Sequence, residues 1–231
     1  MPTIPLGKKF WPLFSAERKA LEELFERDDV RAMILQLSHR EDGERVRLID
    51  AAYWVKGCSS LGTLRYAVLA GVGGSRKAPD SVALVDLKEA VETVAPVASG
   101  WDMPQDHALR VVAGARSLSP NLGGRMLAAS VLGKPIVMRE LTPQDLKIEI
   151  GQFGRQEAMA SARYLAHVVG QAHARQMSAD TRASWAATLA ERRGGGLDAP
   201  GWLWRCVVDL MAAHELGYLE HCRRYALAQT A

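Results

Sequence analysis

An α+β fold follows from three observations. Between about residues 46 and 91, β-branched and aromatic runs alternate with turn-rich stretches. Apolar residues at helical spacing precede that region and fill most of the chain from Pro143 onward. No internal repeat interrupts this order, so one β-rich lobe between helical segments is the simplest arrangement.

The elements can be taken in chain order. In "FSAERKALEELFERDDVRAMILQL", Ser15 is a candidate cap, with Leu21, Leu24 and Phe25 on one face. Asp28 or Asp29 is placed to cap a second helix that turns Val30, Met33, Ile34 and Leu37 inward. "VRLIDAAYWV", "LRYAVLAGV" and "VALVDLKEAV" then read as a three-stranded antiparallel meander, with Leu64, Tyr66 and Val68 sharing one face. "MPQDHALRVVAGARSL" reads as a helix starting at Pro104, with Leu109, Val112 and Leu118 at helix-compatible spacing. "RMLAASVLGKPIVMREL" reads as a hairpin turning at Gly133-Lys134-Pro135.

Three helices follow. The first places Ala158, Ala162, Leu165, Val169 and Ala172 on one face and ends near Met177. "ADTRASWAATLAERR" is a shorter one, and "RRGGGLDAPG" is the best linker, since its glycines and proline do not extend a helix. "WLWRCVVDLMAAHELGYLEHCRRYALA" closes the chain. The expected organisation is a helical segment over 1–45, a β-rich lobe over 46–142 and a helical lobe over 143–231.

Composition narrows the function. With 231 residues the chain can bury a substantial core, and 48% hydrophobic with 24% charged residues suits a globular protein. A net charge of +3, with both signs interleaved, argues against a dedicated nucleic-acid binder. No apolar run approaches the roughly 18–20 residues of a membrane-spanning helix, and no signal core follows the N-terminus. Three cysteines without CxxC spacing fit free thiols in a reducing compartment, so a cytoplasmic location is expected.

The chemistry centres on "WVKGCSSLGTLRYAVLAGVGG" and the lysine of "VALVDLK". Glycines between paired strands let a backbone approach polyphosphate without an intervening Cβ. In protein kinases such a loop covers the phosphates, and a lysine on the third strand reaches them. Gly57, Ser59, Ser60, Gly62 and Lys88 follow that order, and "VALVDLK" resembles the V-A-I-K pattern. A plain hairpin carrying a solvated lysine is the competing reading, because Gly57 and Gly62 bracket "CSSL" rather than forming G-x-G-x-x-G. The helix and hairpin after Lys88 continue the order of a kinase small lobe. Backbone groups from Arg139 through Glu140 and Leu141 would then form the hinge that pairs with adenine.

"PLGKKFWPL", "LIDAAYWVKGCSSLGTLRYAVL", "LVDLKEAV", "RELTPQDLKIEI", "YLAHVVGQAHARQM" and "EHCRRYA" together resemble one family. It is the uncharacterised bacterial family catalogued as domain of unknown function 2252, which is distantly kinase-like. The resemblance covers nearly all of the chain but only the C-terminal half of the family's fuller members. Their N-terminal half carries a C-G-D-x-H-x-x-N-like segment and a later Asp-rich motif, similar to the catalytic loop and metal-binding aspartate of aminoglycoside-type phosphotransferases. That motif order implies a circularly permuted kinase, with ATP and magnesium as expected cofactors.

The sequence departs from that pattern in two places. A kinase catalytic loop needs an Asp and a downstream Asn, whereas Asn121 is the sole asparagine and no H-x-D precedes it at the needed spacing. Gln152-Phe153-Gly154 is the nearest approach to D-F-G, and a neutral glutamine is a poor magnesium ligand. Kinases also pair the lysine with a glutamate from the following helix. Where the family usually reads V-V-E-G, this chain reads Val111-Val112-Ala113-Gly114. Asp86, on the face of Lys88, is the candidate substitute.

Other motifs carry less. His214 and His221 lie roughly 10 Å apart along one helix, too far to share a zinc ion, and Tyr218 stands where HExxH needs its second histidine. His173 and Arg175 suit either phosphate contact or a helix C-terminus. Trp185, Trp202 and Trp204 suit a core or docking surface, and no catalytic or metal residue is assigned.

The expected function is therefore a nucleotide-binding half of a kinase-like protein, not a competent phosphotransferase alone. The alternatives are a non-catalytic binding or scaffold module and a truncated product without independent activity. Expected partners are a separately encoded catalytic half or a second copy of the chain, and no membrane.

Overall fold

The computed structural model describes residues 2–36, 40–57, 61–75, 77–95, 103–119, 121–141, 150–191 and 200–226. The chain forms two compact units, Met1–Ala172 and His173–Ala231.

The first unit is built on one antiparallel sheet. Its strands are β1 (Phe10–Trp11), β2 (Val46–Trp54), β3 (Arg65–Val72), β4 (Ser81–Glu89), β5 (Met126–Val131) and β6 (Lys134–Leu141), in the spatial order β1-β2-β3-β4-β6-β5. The meander and the hairpin expected from the sequence are both present. The two-residue β1, which pairs with Tyr53 and Trp54, is not anticipated because so short a strand has no readable alternation. The hairpin turns one residue earlier than expected. Leu132 and Gly133 form the turn, while Lys134 and Pro135 already belong to β6.

One face of the sheet carries the main core. Helices α1 (Ser15–Phe25) and α2 (Asp28–Leu35) set Leu21, Leu24, Phe25, Val30 and Ile34 in a buried cluster with Tyr66, Val68, Val85, Leu87 and Met138. Strand alternation explains the choice, since residues two apart share a face and each strand puts its largest apolar set inward. Leu37 lies outside the described residues. Neither helix uses its expected cap. Phe14 precedes α1, and Glu17 reaches back to accept from the Phe14 amide at 2.8 Å. Arg27 precedes α2.

Glu17 is buried with two neutral donors around it, since the Tyr66 hydroxyl donates to its other oxygen at 2.9 Å. Burial, and then this bond to Glu17, raises the Tyr66 hydroxyl well above its ordinary pKa.

The opposite face is covered at its two sides. Helix α3 (His107–Leu118) packs Ala108 and Val112 beside Val137 and Ala90. Asp106 caps it by accepting from the Leu109 amide at 2.8 Å, so the start lies three residues after Pro104. Of the apolar residues at helical spacing, Val112 is buried while Leu109 and Leu118 are exposed. The smaller Ala108 and Val112 fit the close approach to the strands. On the other side, Ile4, Phe10, Trp54, Ala52, Ala67, Leu69 and Leu84 form a separate cluster. Between the two clusters the face is open.

Past the sheet come α4 (Arg155–Gln176), α5 (Ala179–Glu191) and α6 (Gly201–His221), which ends in a π-helical turn over Cys222–Ala226. Of the face expected along α4, Ala172 is buried, whereas Leu165 and Val169 are exposed. In the second unit Arg182 donates to the Ala174 and Met177 carbonyls at 3.0 and 3.1 Å, and Trp185 meets Trp202 edge-on at 6.1 Å. The glycine-rich linker at 192–199 lies outside the described residues.

Candidate functional site

Between the two minor clusters lies an open cleft of about 440 Å³ on the sheet face opposite the main core. Three cations line it, each from a different strand: Arg65 of β3, Lys88 of β4 and Arg139 of β6. Strand register brings them together. Arg65 stands directly opposite Lys88, and Asp86 stands opposite Arg139. Period-two alternation then places Asp86 and Lys88 on one face, with the side chains of their cross-strand partners.

The charges are unevenly matched. Arg65 donates through Nε and Nη2 to the two oxygens of Asp86 at 3.0 and 2.7 Å, and both side chains are under 10% exposed. The Arg65 guanidinium also lies 5.0 Å from the centre of the Trp54 ring. Arg139 approaches the same carboxylate only to 3.7 Å and remains 49% exposed. That distance is too long for a hydrogen bond. The Lys88 side chain is exposed and forms no hydrogen bond or ion pair among the described residues. Asp86 therefore serves Arg65 and does not take the place of the kinase glutamate beside Lys88.

Helix α3 supplies no acid either. Its contribution to the cleft is Val111, while Ala113, where the resemblance leads one to expect a glutamate, does not line it. Glu89, next to Lys88, also borders the cleft, though alternation turns its side chain to the face of Ile136 and the main core. It accepts from the Leu64 amide at 2.8 Å, and Lys134 approaches it at 3.3 Å.

The glycine loop joins β2 to β3 at the same end of the sheet. Gly57 and Gly62 hold φ of +72° and +79°, a region that side chains rarely adopt. A Cβ at either would meet nothing within 4 Å, so backbone conformation rather than crowding demands glycine. Thr63, next in the chain, lines the cleft, and the Glu89 amide donates to the Leu64 carbonyl at 2.8 Å. Ser59 and Ser60 lie outside the described residues, as does the chain from 142 to 149.

The two residues expected to form a hinge, Glu140 and Leu141, sit within β6. Glu140 stands opposite Val85 and Leu141 opposite Leu84. The Glu140 side chain turns to the main-core side, where Arg40 donates to it through two nitrogens at 2.6 and 2.8 Å. Leu141 shares the face of Lys88 by alternation, four residues along β6 from Val137, the partner of Lys88. That is a separation of roughly 13 Å at about 3.3 Å per residue. Gln152–Gly154 does not line the cleft; the Gly154 amide donates to Glu157 at 2.9 Å instead.

Arg65 and the Arg139 side chain escape a reading of the sequence alone. Alternation from Tyr66 and Val68 puts Arg65 on the face away from the core, and that much is legible. Its position across from Lys88 depends on register between strands, which no local pattern states.

Such an arrangement suits a polyanion. Two cations with unfilled donors share a concave, partly apolar site with a third cation already paired. Its excess of cations disfavours a magnesium ion, which is held through carboxylate oxygens. Both acids of the cleft are engaged, Asp86 with Arg65 and Glu89 with Leu64. Among the described residues no three His, Cys, Asp or Glu side chains gather to hold a metal. No described helix is long and apolar enough to cross a membrane.

A sequence model of the family described as "Uncharacterized protein conserved in bacteria (DUF2252)" matches residues 3–224. Comparison with curated proteins and with solved structures yields no match. Since the family match runs through both units, including every strand of the cleft, this chain belongs to that uncharacterised bacterial family.

Proposed function

We propose that the cleft around Lys88 is the phosphate-binding part of a nucleotide site, and that this chain is the nucleotide-binding half of a kinase-like protein. One observation carries the reading. Lys88, on the third strand of the meander and beside a loop with two left-handed glycines, faces a cleft with its charge unpaired among the described residues. A lysine held only for solubility gains nothing from standing opposite Arg65 and diagonal to Arg139. Like charges in that arrangement repel. An anionic ligand removes the repulsion.

Phosphoryl transfer needs more than this grip. Catalysis of that reaction rests on neutralising the charge of the transferring group and on placing the nucleophile. Each of the two carboxylates already faces donors of this chain, Asp86 those of Arg65 and Glu89 the Leu64 amide and Lys134. On this reading the chain draws its catalytic groups from a catalytic half supplied separately.

The test is the melting temperature with and without ATP, measured with magnesium and again with EDTA. A ligand at about one hundred times its Kd adds about 2.7 kcal/mol, or several degrees for a chain of this size. The wild type should shift in at least one condition, and Lys88→Ala should lose most of the shift. Equal shifts in both proteins remove Lys88 from the site, and no shift in either condition ends the nucleotide reading.

A further inference from the structure

We propose that the Lys88 cleft holds a di- or triphosphate chain directly on side chains, without a bridging divalent cation. The proposal rests on the reading of the cleft as a phosphate site. It reverses the usual arrangement, in which magnesium neutralises the phosphates and carboxylates hold the magnesium.

The occupancy of the acids is the first argument. Asp86 is 4% exposed, and both of its oxygens are taken by the Arg65 fork. A divalent ion at those oxygens would stand beside the buried Arg65 guanidinium, and the two positive charges repel. Glu89 is 10% exposed and holds the Leu64 amide through one oxygen, with Lys134 at the other. Each acid already faces a cation, Asp86 that of Arg65 and Glu89 that of Lys134, which weakens its attraction for a metal ion.

The second argument is what the cations offer. Lys88 is a compact charge with three donors, and Arg139 a planar fork whose nearest carboxylate oxygen, at 3.7 Å, already accepts from Arg65. Lys88 faces Val137 across the ladder, and Arg139 lies two residues further along β6. Diagonal neighbours of this kind are separated by about 7–8 Å, within the reach of long side chains. The fork can grip one phosphate and the ammonium the next. A lone orthophosphate satisfies one of the two.

The third argument is the balance of charge. Arg65, Lys88 and Arg139 share a single carboxylate, Asp86, on this face. A metal-free polyphosphate meets the uncompensated charge in full, whereas a magnesium complex arrives with part of its own charge cancelled. Magnesium thus competes for the ligand and does not assist binding.

Isothermal titration of the full chain with tripolyphosphate, ATP and orthophosphate, each in EDTA and in excess magnesium, tests this. Tripolyphosphate and ATP should bind in EDTA, with magnesium weakening each by several-fold and orthophosphate at least about tenfold weaker. Arg139→Ala and Lys88→Met should each weaken tripolyphosphate by about tenfold, while Arg139→Lys recovers only part. Their unliganded melting temperatures should stay level or rise, which separates a lost contact from a lost fold. Equal affinities for ATP and tripolyphosphate assign recognition to the phosphate chain alone, and a tighter ATP assigns the site to a nucleotide; both support a metal-free grip. Binding that requires magnesium overturns the proposal yet leaves the nucleotide reading intact. Absence of binding in both conditions overturns the two together.

Discussion

Asp86 is the residue on which the cleft turns. It is 4% exposed, it holds Arg65 in a two-pronged pair, and it spans β3 and β4 beneath the two exposed cations. A buried pair of this kind contributes little net stability, since both ions lose water, but breaking it from one side is expensive. Asp86→Ala should therefore destabilise the fold by about 3–5 kcal/mol, read by urea denaturation. The double change Arg65→Met with Asp86→Leu should recover most of that loss, because no unpaired ion remains. A double variant as unstable as the single one would show that the pair is held for packing, not for charge. The Arg40–Glu140 pair follows the same physics on the other face and ties the segment after α2 to β6.

Among the elements, the β5–β6 hairpin shows a local conflict. Its two-residue turn places Leu132 at φ 52° and Gly133 at φ 75°. Two successive positive φ values are the pattern of a type I′ turn, which favours Asn-Gly. Leucine accepts that conformation at a cost of about 1–2 kcal/mol, and its side chain is 51% exposed, so little packing compensates. Leu132→Asn should stabilise the unit by about 0.5–1 kcal/mol in denaturant titration. No gain, or a loss, would mean that Leu132 packs more productively than its exposure suggests. The same conflict explains why the turn is misplaced on the sequence. Gly-Lys-Pro advertises a turn by composition, but pairing of Ser130 with Pro135 and Val131 with Lys134 leaves only Leu132 and Gly133 outside the ladder.

For the molecule as a whole, the second unit exposes an unusual amount of apolar side chain. Leu210 is 71% and Met211 67% exposed, and Val207, Val208, Leu216 and Leu219 of the same helix are also exposed. Exposed apolar side chains in this number commonly mark association. The chain alone is expected to self-associate, with mass by light scattering rising with concentration. Leu210→Glu combined with Met211→Glu should lower that mass without lowering the melting temperature of the β-rich unit. A single monomeric mass at every concentration would count against the surface as a contact site and against the need for a partner half.

The order of elements was open to reading from composition and spacing. The meander, the hairpin and the helices before and after them follow from periods of two and of about 3.6 residues, and those are properties of neighbouring side chains. Lys88 and the glycines at 57 and 62 were equally visible, since a lysine on an apolar strand and a glycine-bracketed loop are local facts. The chemistry of the cleft was not. Alternation alone offers Asp86 to Lys88, whereas in the fold it is the partner of Arg65. Nothing local to Glu140 indicates that its side chain is bound to Arg40, one hundred residues earlier in the chain. Both differences have one cause. Strand register and long-range pairing decide which charges meet, and they are set by how separate strands bury their apolar faces together, not by the order of residues within any one of them.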